Sequence, residues 1–76
     1  MKERTYSVVL EPDEGGRYAV TVPALPGCFS QAPTDEEALG RAAEAIRTHI
    51  AGLQADGEPV PEEGEGPRIA TVTVAA

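Results

Sequence analysis

Between Thr34 and Asp56 the apolar residues recur with a helical period, and this stretch constrains the fold more than any other. On a helical wheel Leu39, Ala42, Ala43, Ile46, Ile50 and Leu53 fall in one sector, with Glu37, Arg41, Glu44 and Thr48 opposite. Thr34-x-x-Glu37 has capping-box spacing, in which Thr34 accepts from an early helical N–H and Glu37 reaches back to the Thr34 N–H. Asp35, Glu36 and Glu37 suit the positive end of the helix dipole. Gly57 is placed to be the C′ residue, and Pro59 and Pro61 stop the helix from continuing. Its four large apolar residues bury too little surface to offset the ordering of the whole segment. This helix must therefore lie on something, and the rest of the chain predicts a sheet.

From Thr5 to Leu10, Tyr6, Val8 and Leu10 alternate with Thr5 and Ser7, with Val9 breaking the pattern, as expected of a strand. Glu11 to Gly16 holds the Pro, Asp and Gly that a turn needs, and Gly15 or Gly16 can supply a positive φ. Tyr18, Val20 and Val22 alternate again and complete a hairpin. Pro23-Ala24-Leu25-Pro26-Gly27 breaks the pairing, with Pro26 and Gly27 assigned to backbone shape, and Cys28–Ala32 is a third, short strand. Residues 58–67 read as a mobile acidic linker, and Ile69 to Val74 as a last strand with Ala70, Val72 and Val74 inward. The order is β-β-β-α-β: an α+β fold, a three-stranded antiparallel meander plus a fourth strand, with one long helix on one face. Residues 1–76 read as a single domain. A helix of this length spans about 33 Å while short strands span under about 20 Å, so one end should overhang the sheet. Ile50 and Leu53 would then be covered by the Val60 region or offered to another chain.

A chain of 76 residues buries a small core, and its single cysteine forms no internal disulfide, so association is the remaining way to bury more. That thiol and the lack of a signal-peptide pattern after Met1 predict a cytoplasmic protein, and no apolar run is long enough to span a membrane. The net charge of −7 repels nucleic-acid phosphates and suits a basic partner. Catalysis finds little support. Cys28 with His49 is the one conceivable nucleophile–base pair, but a small buried thiol and a packing histidine are the simpler readings. Asp13 and Glu14, and the run Asp35-Glu36-Glu37, are the candidate metal carboxylates; turn hydrogen bonding and dipole complementation explain them without an ion. A metal-assisted hydrolase built on Asp13 or Glu36 is thus the weakest reading. No catalytic, metal-binding or cofactor-binding residue is expected.

Tyr6-x-Val8, Gly16-x-Tyr18-x-Val20-x-Val22-Pro23-x-Leu25-Pro26-Gly27-Cys28 and Gln31-x-x-Thr34-x-Glu36-Glu37-Ala38 together resemble the HicB-type antitoxin family, and the likeness runs on to Gly57-x-Pro59-x-Pro61. The resemblance implies a HicB-like fold, similar to a reduced ribonuclease H core without its catalytic carboxylates. It also implies a protein that is not an enzyme and that neutralises a small basic HicA-type mRNA interferase toxin. An orphan oligomerisation or protein-binding module without a toxin is the alternative, and a homo-oligomer, dimer or tetramer, is expected. Many family members carry a C-terminal DNA-binding segment, whereas no such pattern precedes Ala76, so direct DNA binding is not expected. Glu11, Asp13 and Glu14, as an acidic turn, and Phe29, as an anchor near an edge, are the candidate partner-facing residues. The same acids read equally well as solvated turn residues, and Phe29 as core.

Overall fold

The Pro, Asp and Gly between the first two apolar runs close a tight hairpin. In the computed structural model, which describes residues 3–64 and 70–76, β1 (Val9–Pro12), β2 (Tyr18–Thr21) and β3 (Phe29–Ala32) pair antiparallel in the order β1-β2-β3. The helix α1 (Asp35–Ala55) follows and packs on β3 and β2. The architecture is α+β in two layers, one sheet and one helix.

The strand boundaries have local causes. β1 was expected to run from Thr5 to Leu10 and to turn at Glu11; it lies later, from Val9 to Pro12. Val9 pairs with Thr21, so the register brings Ser7 opposite Pro23, which has no N–H to continue the ladder. At the other end the Asp13 carboxylate accepts from the N–H groups of Gly15 and Arg17, and the Asp13 N–H donates to the Arg17 carbonyl at 2.8 Å. That arrangement carries pairing on through Pro12. Gly16, at φ 79°, supplies the left-handed residue of the turn.

Half of the expected capping box forms: the Thr34 hydroxyl accepts from the Glu37 N–H at 3.2 Å, while the Glu37 carboxylate takes no return bond from the Thr34 N–H among the described residues; Gly57 closes the far end at φ 71°. The helix's buried face overlaps the expected stripe at Ala42 and Ile46 but is rotated from it. Ala38 and Ala42 are buried, and Ala45 and Ile46 pack on the core, whereas Leu39 is 44% exposed. Ala38, Ala42 and Ala45 point about 80° away from the centre of the large apolar stripe. Small residues let the helix axis approach the sheet, and the Ser30 hydroxyl donates to the Ala38 carbonyl at 3.0 Å, holding that edge down. The large side chains are thereby turned to one flank.

Two connected clusters form the core. Val20, Ala32, Ala38 and Ala42 make one, with Val8 and Tyr18 against it; Val22, Leu25 and Cys28 make the other, with Tyr6, Val8, Ala45 and Ile46 against it. Leu10, expected inward with Tyr6 and Val8, is 37% exposed because α1 covers β2 and β3 and stops short of β1.

The expected fourth strand is not formed. Ala70 to Ala76 lie in no strand and are exposed, Val72 at 86% and Val74 at 75%; Ile69 lies outside the described residues. A β-branched run prefers strand conformation, but a strand exists only where a neighbouring edge takes its ladder groups, and here the run meets none. Of the segment expected as a linker, residues 65–67 lie outside the described residues. Earlier in it, the Tyr6 hydroxyl donates to the Pro61 carbonyl and the Ser7 N–H to the Glu63 carboxylate. Hydrogen bonding from the Ser7 side chain, then from its backbone, holds the exposed Glu63 carboxyl below its ordinary pKa. Val60 is half-buried, as are Ile50 and Leu53.

Candidate partner-binding face

One helix covers one side of the sheet, and the pleat decides what the other side presents. Val20, Ser30 and Ala32 point to α1, so the register sends Val9, Thr21 and Phe29 to the opposite face in one row and Glu11, Ala19 and Gln31 in the next. Phe29 is 62% exposed there. Beside it Pro23, Pro26 and Gly27 border a shallow, largely apolar depression of about 400 Å³. Gly27, at φ 85°, makes the bend that brings the Pro26 ring to this side. An exposed aromatic ring on a flat surface with a concavity at its edge is a common anchor for another protein.

Of the four residues singled out in the sequence, the fold brings Phe29 and Glu11 onto this same face, two strands and one row apart. Glu14 is exposed at the hairpin tip. Asp13 is exposed too, but its carboxylate is engaged by the Gly15 and Arg17 N–H groups and serves the turn. The site is thus an aromatic residue at the β3 edge and an acidic residue at the β1 edge, with small side chains between them.

The other candidates sit apart from this face. Cys28 is buried with Val22 and Leu25, and burial raises its thiol pKa, the reverse of what a nucleophile needs. His49 is half-buried on α1. The Asp35 carboxylate accepts from the Glu36 N–H at 2.8 Å, and among the described residues no three His, Cys, Asp or Glu side chains converge to hold a metal. No helix among the described residues is long and apolar enough to cross a membrane.

Sequence reasoning missed a second concavity. About 900 Å³ lies between the segment Glu3–Tyr6 and the helix flank of Ala43, Ile46 and Ile50, with Arg4 and Arg47 beside it. The wheel already held the signal, since the large apolar residues share one flank; what it could not show is that the alanines face the sheet.

Fold and face together define an α+β domain with one sheet face open and a helix on the other. Residues 6–71 match the family model described as the HicB-like antitoxin of bacterial toxin–antitoxin systems, and the chain belongs to that family. It is 48% identical over 58 residues to a UPF0150 protein of Thermoplasma acidophilum, covering 76% of this chain and 84% of that one. It is 39% identical over 64 residues to Antitoxin HicB 1 of Photorhabdus laumondii, a match covering 84% of this chain and 41% of that protein. In three dimensions it is similar to the crystal structure of the N-terminal domain of the Burkholderia pseudomallei antitoxin HicB. The TM-score is 0.65 and the identity 38%, over 70% of this chain and 62% of that one. Membership of this family supports an antitoxin role, a toxin as partner, and work done by binding rather than by turnover.

Proposed function

We propose that the chain, acting as one domain in the cytoplasm, binds and neutralises a small basic HicA-type mRNA interferase through its open sheet face. The observation that carries this reading is the exposed Phe29 sharing that face with Glu11, in a family of antitoxins. A toxin that grips RNA phosphates is basic, and a chain of net charge −7 attracts it at long range while Phe29 supplies apolar contact at short range. Glu11 and Glu14 add negative potential near the contact, and Asp13 keeps the turn that presents them. The protein itself carries out no reaction in this reading.

The test is co-expression with a HicA-type toxin, the product of the adjacent reading frame where that frame encodes one. Growth arrested by that protein should be restored by the wild-type chain, and the two should co-purify. Phe29→Ser should weaken the purified complex at least about tenfold, the loss of one anchoring aromatic. A wild-type chain that neither restores growth nor co-purifies would refute the proposal.

A further inference from the structure

We infer that residues 70–74 form a β-strand on the β1 edge of a second copy of this chain, the two copies exchanging these strands reciprocally. The inference does not depend on the antitoxin reading; it assigns a contact to the homo-oligomer expected from the small core.

The sheet has two edges, and they are not equally open. The Val22 N–H donates to the Cys28 carbonyl, which makes that pair and the alternate pairs along β2 and β3 the hydrogen-bonded ones. The Asp13 N–H likewise bonds the Arg17 carbonyl, so Val9 and Glu11 direct their backbone groups at β2 while Val8 and Leu10 direct theirs outward. By the same alternation Phe29 and Gln31 face outward from β3. There the Arg41 guanidinium already donates to the Gln31 carbonyl at 2.9 Å, and Pro33 removes the next donor. The β1 edge has its donors and acceptors at Val8 and Leu10 directed outward, and Pro12 interrupts it only at the hairpin end.

The side chains agree with the backbone. Tyr6, Val8 and Leu10 lie on the helix side of the sheet, yet Leu10 is 37% exposed, and Leu39, in the same helical sector as Ala43, Ile46 and Ile50, is 44% exposed. The space over the β1 edge is where the two-layer core is unfinished. Residues 70–74 offer what would finish it: Ala70, Val72 and Val74 on one side, Thr71 and Thr73 on the other, with no charged side chain in the run. A strand seated there would turn its valines under the helix flank and its threonines toward Val9 and Glu11.

The source of the strand is argued from where this chain leaves its own. Val72 and Val74 stand exposed and pair with no strand of their own sheet. Exchange with a second copy gives both chains a fourth strand and buries four exposed valines per dimer, and reciprocal donation satisfies twofold symmetry. Like charge between two acidic copies opposes this only at long range, since the exchanged run is neutral.

Light scattering, sedimentation and amide exchange on the full-length chain test the inference. The wild type should be a dimer with slowly exchanging Val8 and Leu10 amides. Val72→Pro, which removes a ladder donor at an exposed position, should raise the dimer dissociation constant at least about tenfold and release both amides. Its helical circular dichroism should be unchanged, and Val72→Thr should keep the dimer. A wild type that stays monomeric would overturn the inference, whether or not its Val8 and Leu10 amides are protected by its own tail. So would a dimer that survives Val72→Pro.

Discussion

Cys28 shows how one residue's role follows from its neighbours. A Pro-Gly bend precedes it, and the bend folds the thiol inward against Val22 and Leu25. Desolvation disfavours the thiolate, so the pKa lies above that of a free cysteine, and at a given pH less of the group is in the reactive form. The rate of alkylation in the native state should therefore be far below that of the unfolded chain. Its half-maximal point in a pH profile should lie higher than that of a model thiol. Alkylation at the unfolded rate near pH 8 would mean that Cys28 is accessible. Thr34, Gly27 and Gly57 are residues of another kind, because each acts on the backbone alone, and their places could be read from the sequence for that reason.

At the scale of the element, α1 was legible in its existence, its cap and its end, but not in its orientation. Amphipathicity records which side chains avoid water; it does not record how close the helix comes to the sheet. Ala38, Ala42 and Ala45 form the contact seam, and bulk there would push the layers apart. Ala42→Leu should cost about 1–3 kcal/mol by overpacking, whereas Ala55→Leu, at the exposed last turn, should stay within about 0.5 kcal/mol. Urea denaturation of the two variants decides the matter, and equal effects would refute the seam. The strands were legible as alternating runs, but the start of β1 depended on Pro23 in another segment.

For the molecule as a whole, the balance is between a small core and a large uncovered surface. Val20 and Leu25 are the largest side chains that are fully buried, while Leu10, Phe29 and Leu39 remain exposed. Such a domain gains stability from partners, and its −7 charge favours basic ones. The association rate with a basic toxin should fall steeply with salt while the dissociation rate changes little, as electrostatic steering requires. Stopped-flow measurements at low and high ionic strength check this. A salt-independent association rate would remove charge from the account. Phe29 was picked out from the sequence as an anchor near an edge and Glu11 as part of an acidic turn; that they share one face follows from a strand register no local pattern contains.

The sequence alone determined the local features: the capped helix, the turns at Gly15-Gly16 and Gly57, the alternating strands, the acidic charge and the family likeness. Each depends on residues only a few positions apart, or on composition. Tertiary structure decided which face of α1 meets the sheet, where β1 begins, and that residues 70–74 stand unpaired. These depend on distances between segments far apart in the chain, where a hydroxyl on β3 or a proline opposite Ser7 tips the balance between arrangements with the same pattern of apolar residues.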